Sequence, residues 1–327
     1  MSFKIKCLTL LFSLLLTTLL ASAIAADSGL AVSGVVETEY SSMKTGGVKS
    51  SDIVAATAAL SFVGAVGRDG EMTVDLLFED DDTPLDVESA FITAPHGAFT
   101  LKAGRFFVPF GTFETNMVSD PITLDMAETN EAAIEVDYAA GPISLSFFIF
   151  NGDSAEASAE DKADQYGASV NFEHGEDGKL KIVAGAAYLN NFADTDGMAG
   201  ALATDNTVVK YQAGYNFHFQ VAVGDFGLIG EYVGASKKFD ATDYASGAAK
   251  PSATHLEAYA TVGNLTFALG MDQTKEATDI GLAEDRTLFA IGYQHNDSVA
   301  IGLEYMQAEN YDKTKDSAIT IQLAAEI

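Results

Sequence analysis

Cysteine is almost missing from this chain of 327 residues: there is one, Cys7, and it lies in an apolar segment at the N-terminus. Beyond that segment no thiol exists, so disulfides and Cys-ligated metal centres are excluded, and no cysteine stands at a cleavage point to carry a lipid anchor. Tryptophan is absent and proline is limited to 6 residues. After Leu20 no stretch reaches the roughly eighteen apolar residues that a membrane-crossing helix requires. The longest candidate, 53–66, is shorter and carries Thr57 and Ser61. Basic residues are also scarce, 18 Lys and Arg against 47 Asp and Glu, for a formal charge of −29. Such a chain repels a phosphate backbone, which excludes nucleic acid as a partner, and it concentrates cations near its surface. Solubility in a saline habitat accounts for the same acidity equally well.

The N-terminus reads as an export signal. Lys4 and Lys6 are followed by an apolar run, 8–20, and by the small residues Ala21, Ser22, Ala23 and Ala25. This order predicts a cleavable secretory signal over 1–25, removed after Ala25, and a single domain over 26–327. Loss of Lys4 and Lys6 takes the charge from −29 to −31 (−29 − 2).

The remaining chain is 48% hydrophobic overall, with 21 Phe and 12 Tyr, and it alternates with a period of two. Met72, Val74, Leu76 and Phe78 share one parity, with Glu71, Thr73, Asp75 and Glu79 on the other. The same holds for Ala132, Ile134, Val136 and Tyr138 around Glu135 and Asp137, and for Val299, Ile301, Leu303 and Tyr305 around Glu304. A long run, 209–223, sets Lys210, Gln212, Asn216, His218 and Gln220 opposite its apolar face. A chain that must cross lipid without helices has one other solution, a closed barrel in which every backbone group is paired. The connections support it. Short turns at 67–70, 95–97, 141–142, 175–178, 224–225, 263–264 and 296–297 alternate with longer polar segments at 43–50, 80–84, 109–129, 151–163, 191–206, 236–252, 275–285 and 309–316. This predicts an all-β transmembrane antiparallel barrel of about sixteen strands in the bacterial outer membrane, with short periplasmic turns and long external loops. The last strand, 317–327, is expected to pair with 30–41 and close the ring. Without Trp, interface girdles fall to Tyr138, Tyr166, Tyr188 and Tyr232.

One loop differs from the rest. The segment 109–129 carries Phe110, Phe113, Met117, Val118, Ile122, Leu124 and Met126 beside Glu114, Asn116, Asp120, Asp125 and Glu128. So much apolar surface must be buried, either by folding into the lumen as a constriction or against another subunit. The predicted lumenal face holds Glu37, Glu39, Asp75, Glu79, Asp86, Glu88, Glu135, Asp137, Glu231, Glu257 and Glu304, with Lys102 and Lys210 as its cations, joined by Arg105 or Arg286. An acidic lining of this kind selects cations.

The stretch Gly104-Arg105-Phe106-Phe107-Val108-Pro109-Phe110-Gly111, continuing through Phe113-Glu114-Thr115-Asn116-Met117 to Ser119-Asp120-Pro121-Ile122-Thr123-Leu124, resembles the signature of LbtU-type siderophore porins. Gly224-Asp225-Phe226 and Gly230-Glu231-Tyr232 fit the same pattern. The resemblance implies passive uptake of ferric siderophores through a plug-free outer-membrane pore. An anionic ferric siderophore needs a local basic track past the acids, for which Lys102 and Arg105 are the candidates. A general cation-preferring diffusion porin is the alternative, and a non-transport adhesin or structural barrel the third. A homotrimer is open for any of them.

Nothing in the sequence points to catalysis or to a cofactor. The five histidines, His96, His174, His218, His255 and His295, show no metal-binding spacing. Asp80-Asp81-Asp82 and Asp194-Thr195-Asp196 lack a full calcium-loop pattern and read as solvated loop acids. No Ser, His and acid spacing selects a triad, and glycine-rich phosphate motifs are absent.

Overall fold

The computed structural model describes residues 29–80, 83–157, 162–176, 178–204 and 206–327. The predicted leader, 1–25, lies outside the described residues, as do Asp81 and Asp82. Along the chain run β1 (Leu30–Thr45), β2 (Val48–Val66), β3 (Gly70–Glu79), β4 (Thr83–His96), β5 (Phe99–Phe107), α1 (Ile122–Ala127), β6 (Asn130–Ala140), β7 (Ile143–Phe150), β8 (Ala155–Glu156), β9 (Gln165–Gly175) and β10 (Leu180–Leu189). After a 3-10 turn at Phe192–Asp194 come α2 (Asp196–Ala199), β11 (Thr207–Val208), β12 (Gly214–Val223), β13 (Phe226–Ala235), β14 (Ser252–Val262), β15 (Leu265–Lys275), β16 (Asp285–Asn296), β17 (Val299–Glu309) and β18 (Lys315–Glu326).

Sixteen of these strands close into a barrel; the two-residue β8 and β11 pair with each other apart from it. The ring closes between β1 and β18, antiparallel from Val35↔Glu326 to Lys44↔Ser317. Closure leaves no edge strand with unpaired backbone groups. Period-two alternation assigns the two faces. On β17, Ile301, Leu303 and Tyr305 are 42–47% exposed, whereas Glu304 and Met306, of the opposite parity, are 1% and 4% exposed. Large apolar side chains therefore cover the outside of the wall, which suits lipid, and polar ones face inward. Tyr166, Tyr188, Tyr215 and Tyr232 stand on the outer face of successive strands, with Tyr188 5.7 Å from Tyr215 and 6.3 Å from Tyr166 between ring centroids.

Several boundaries differ from the sequence reading. The segment 43–50 is not a loop: β1 and β2 run on and meet in a two-residue turn at Gly46-Gly47, whose φ values of 55° and 89° require glycine. The second external connection is also short, since β3 ends at Glu79 and β4 begins at Thr83. Polar composition marked these tips, but a hairpin that extends beyond the membrane is polar as well. The predicted strand 209–223 begins only at Gly214, so Lys210 sits exposed in a loop and not on the lumenal wall. Arg105 is also displaced. On β5 the lumenal parity belongs to Lys102, Gly104 and Phe106, and Arg105 pairs laterally with Ala90 and Ala132 on the outer face. A β-bulge near Leu76 shifts the register against β4, which lets both Asp86, opposite the lumenal Leu77, and Glu88, within electrostatic reach of Asp75 and Glu79, belong to the inner side.

The two faces make opposite demands on charge. Leu303→Arg, on the lipid face at mid-strand, is expected to cost about 2–4 kcal/mol of folding stability, and the lumenal Thr320→Arg much less. Equilibrium unfolding in lipid vesicles measures both.

Candidate functional site

The loop between β5 and β6, 108–129, turns into the barrel and crosses it. In the ring of sixteen strands β15 lies eight places from β5 in either direction, and the loop is fastened to β13, β14, β16 and β17 around that opposite point. A loop inside a barrel brings backbone N–H groups away from bulk water, and each needs an acceptor. Three lumenal carboxylates supply them, and each takes three donors from the loop. Glu231 accepts from the N–H groups of Thr112 and Phe113, both at 3.0 Å, and from the Thr123 hydroxyl at 3.1 Å. Glu257 accepts from the Asn116 N–H at 3.1 Å, the Asn116 side-chain amide at 2.7 Å and the Thr115 hydroxyl at 2.7 Å. Glu304 accepts from the N–H groups of Val118 and Ser119, at 2.8 and 3.0 Å, and from the Ser119 hydroxyl.

A cationic anchor complements them. Arg286 donates to the Asp120 carbonyl at 2.7 Å, pairs with Asp272 at 2.7 Å and lies 3.7 Å from Asp125. His255 shares a 2.6 Å hydrogen bond with Asp272 and stands 3.6 Å from Glu257. From the sequence Arg286 was only an alternative to Arg105 as a lumenal cation, His255 only a histidine without metal-binding spacing, and Asp272 was not singled out. Their strand parity placed them on the lumenal face, but only the lateral pairing of β14, β15 and β16 brings them together.

The predicted loop residues are all engaged. Phe110 and Phe113 join Phe106, Ile122, Leu124 and Met126 in an apolar core with Phe148, Phe150, Leu189 and Phe192. Met117 and Val118 reach the far wall, where glycines make room: a Cβ on Gly270 would lie 2.8 Å from Met117, and one on Gly302 2.8 Å from Val118. Asn116 is held by Glu257, and Asp120 and Asp125 by Arg286. Glu128 is buried, and burial with the nearby Asp196 and Glu88 raises its carboxyl well above the ordinary range. Glu114 is half-buried in a crevice with Thr112 and His218. Burial, then repulsion from Glu231, push its carboxyl up to about 7 against the opposing Lys181.

The other external loops pack over this core. Thr195 donates to the Met126 carbonyl at 2.7 Å, and the Asp196 N–H to the Glu128 carbonyl at 2.8 Å. The Asp194-Thr195-Asp196 segment is therefore structural where Asp194 is concerned: that residue is 1% exposed and accepts from the N–H and hydroxyl of Ser154 at 2.6 and 2.8 Å. It was expected to be solvated. Among the described residues no group of three or more His, Cys, Asp and Glu is placed to hold a metal ion.

The remaining lumenal acids lie on the other arc. Glu37 and Glu39 stand on β1, Asp75 and Glu79 on β3, and Glu135 and Asp137 on β6. Glu39 accepts from Gln322 at 2.9 Å. Lys102 is placed 4.0 Å from Glu135, with its ammonium 3.8 and 4.6 Å from the ring centroids of Phe106 and Phe91. Glu257→Ala removes one acceptor of three loop donors and is expected to cost about 1–3 kcal/mol. Its unfolding midpoint in micelles should fall, and protease cleavage within 108–129 should appear.

A family model described as a Gram-negative porin matches residues 12–315. A UPF0422 protein of Coxiella burnetii is 26% identical over 246 residues, 70% of this chain and 51% of that protein. One of Legionella pneumophila strain Paris is 23% identical over 232 residues, 65% and 44%. The chain thus spans about half the length of the curated relatives it matches. Among solved structures, an anion-selective porin from Comamonas acidovorans aligns with a TM-score of 0.63 at 13% identity, over 92% of this chain and 100% of that one. Pseudomonas putida OprB aligns at 0.68 and 8%, over 91% and 94%. The trimer form of Vibrio cholerae OmpT aligns at 0.56 and 15%, over 92% and 100%. At these identities the structural likeness shows the fold alone. With the family model covering nearly the whole barrel, the chain belongs to the Gram-negative porin family.

Proposed function

We propose that the protein is a passive diffusion channel, constricted by the loop 108–129, that passes small solutes and prefers cations. The observation that carries this reading is the attachment of that loop to the wall opposite its origin, across the lumen. Export over 1–25, a single barrel from residue 26 onward and a homotrimeric assembly complete the proposal; the trimer form of OmpT supports the last by analogy of fold.

The lining supports a preference for cations. Glu37, Glu39, Asp75, Glu79, Glu135 and Asp137 face the lumen, and Lys102 is the one member of the expected basic track that does so. Arg105 faces outward and Lys210 stands in a loop. Lys181, on the lumenal side of β10, is paired with Glu173 at 3.4 Å. The ferric siderophore implied by the LbtU-type resemblance would meet this acidic lining with little basic compensation, so small cations and neutral solutes fit the geometry better.

Shortening the loop centre, 113–119, should raise single-channel conductance in planar bilayers several-fold; unchanged conductance contradicts the constriction. Conductance blocked by a ferric polycarboxylate siderophore would restore that solute.

Glu114 adds a pH dependence. The folded protein holds this proton more tightly than the unfolded chain does. Its contribution to stability is therefore complete below the ordinary glutamate range and is lost as pH rises through about 7. Over the same interval the loop gains a negative charge, so the ratio of cation to anion permeability should rise. Glu114→Gln should flatten that rise in reversal potentials taken under a KCl gradient.

A further inference from the structure

The displaced Arg105 creates a site of its own. It lies on the lipid-facing side of β5, two residues before the strand ends at Phe107, with Ala90 of β4 and Ala132 of β6 as lateral neighbours. The next row of the outer wall toward the periplasm runs Ala103↔Ile134↔Ile149↔Tyr166. Tyr166 begins the band of neighbouring outward tyrosines, so Arg105 stands just above that band, at the depth of the outer head groups. Below and beside it the wall is hollowed. Ala103, Ala132, Ile134, Ile149 and Asn151 border a depression of about 400 Å³ that opens outward.

A guanidinium on the lipid face is expensive unless an anion meets it. Arg105 is exposed, and its charge reaches Asp196 at the start of α2, with no ion pair or hydrogen bond joining the two. In a chain with only 18 basic residues against 47 acidic ones, a cation here attracts a phosphate where most of the surface repels one. The depression supplies the complementary half, a mainly apolar trough below a charge at head-group level. The geometry points to a docking site for one phosphate-bearing lipid of the outer leaflet, its phosphate on Arg105 and its acyl chain along Ala103, Ala132, Ile134 and Ile149. A lipid seated there would cover the outside of the strands from which the loop 108–129 departs.

The test counts bound lipid on the detergent-solubilised full chain by native mass spectrometry. The probes are bis-phosphorylated lipid A, the same lipid stripped of its phosphates, and inorganic phosphate. The wild type should retain one phosphorylated lipid per chain. Arg105→Gln should retain about fivefold less, as should the dephosphorylated lipid on the wild type. Ala132→Phe, which fills the trough and leaves the guanidinium in place, should also lose the lipid. Equal retention by wild type and Arg105→Gln, or of the two lipids by the wild type, overturns the proposal. So does competition by inorganic phosphate at equal concentration, which would make the site one for a free anion. A change of oligomer mass in Arg105→Gln without change in lipid count would overturn it in favour of a subunit contact.

Discussion

A loop that enters a barrel carries its backbone donors away from water, and meeting that demand organises the interior of this protein. Glu231, Glu257 and Glu304 each take three hydrogen bonds from the segment 112–123, mostly from main-chain N–H groups. Charge-assisted bonds are among the strongest available to a side chain, and three donors per carboxylate offset much of the cost of its burial. The partnership is mutual: without the loop these acids would be solvated wall charges, and without the acids the loop would hold unpaired amides. Arg286 extends the same logic to the carbonyl side by capping Asp120.

Two populations of lumenal acid follow. Those on β13, β14 and β17 are consumed by the loop, while those on β1, β3 and β6 remain to set the potential of the passage. The apolar core built by Phe110, Phe113, Phe148, Phe150 and Phe192 fills the mouth along β6 to β14. The polar, acidic lining is thereby concentrated along β1 to β6 and β18. Net charge alone overstates how many carboxylates act on a permeating ion, because a glutamate that already receives three donors has little left to offer one.

The barrel was readable because period-two alternation and glycine-rich turns record both faces of the wall directly. Outward Ile301, Leu303 and Tyr305 and inward Glu304 needed nothing beyond parity. Parity likewise placed Glu231 and Glu257 inside, and the apolar excess of 109–129 showed that this loop had to be buried. What parity could not give was what each inward residue touches. The three clamps join residues more than a hundred positions apart, and Gly270 and Gly302 matter because Met117 and Val118 arrive opposite them. Arg105 was misread for a related reason: the motif around it drew attention to chemistry, while its parity with Leu101 and Ala103 set it on the lipid side. Lys210 failed because alternation continued through polar residues beyond the point where lateral pairing stops.

Hydrogen exchange on the native protein tests the central claim most directly, resolved to the amides of Thr112, Phe113, Asn116, Val118 and Ser119. If wall carboxylates hold this loop, these amides exchange on the slow scale of the barrel strands, although they lie in no helix or strand. Exchange as fast as that of the external turn at 310–314 would contradict the clamp, and with it the account of how the lumen is narrowed.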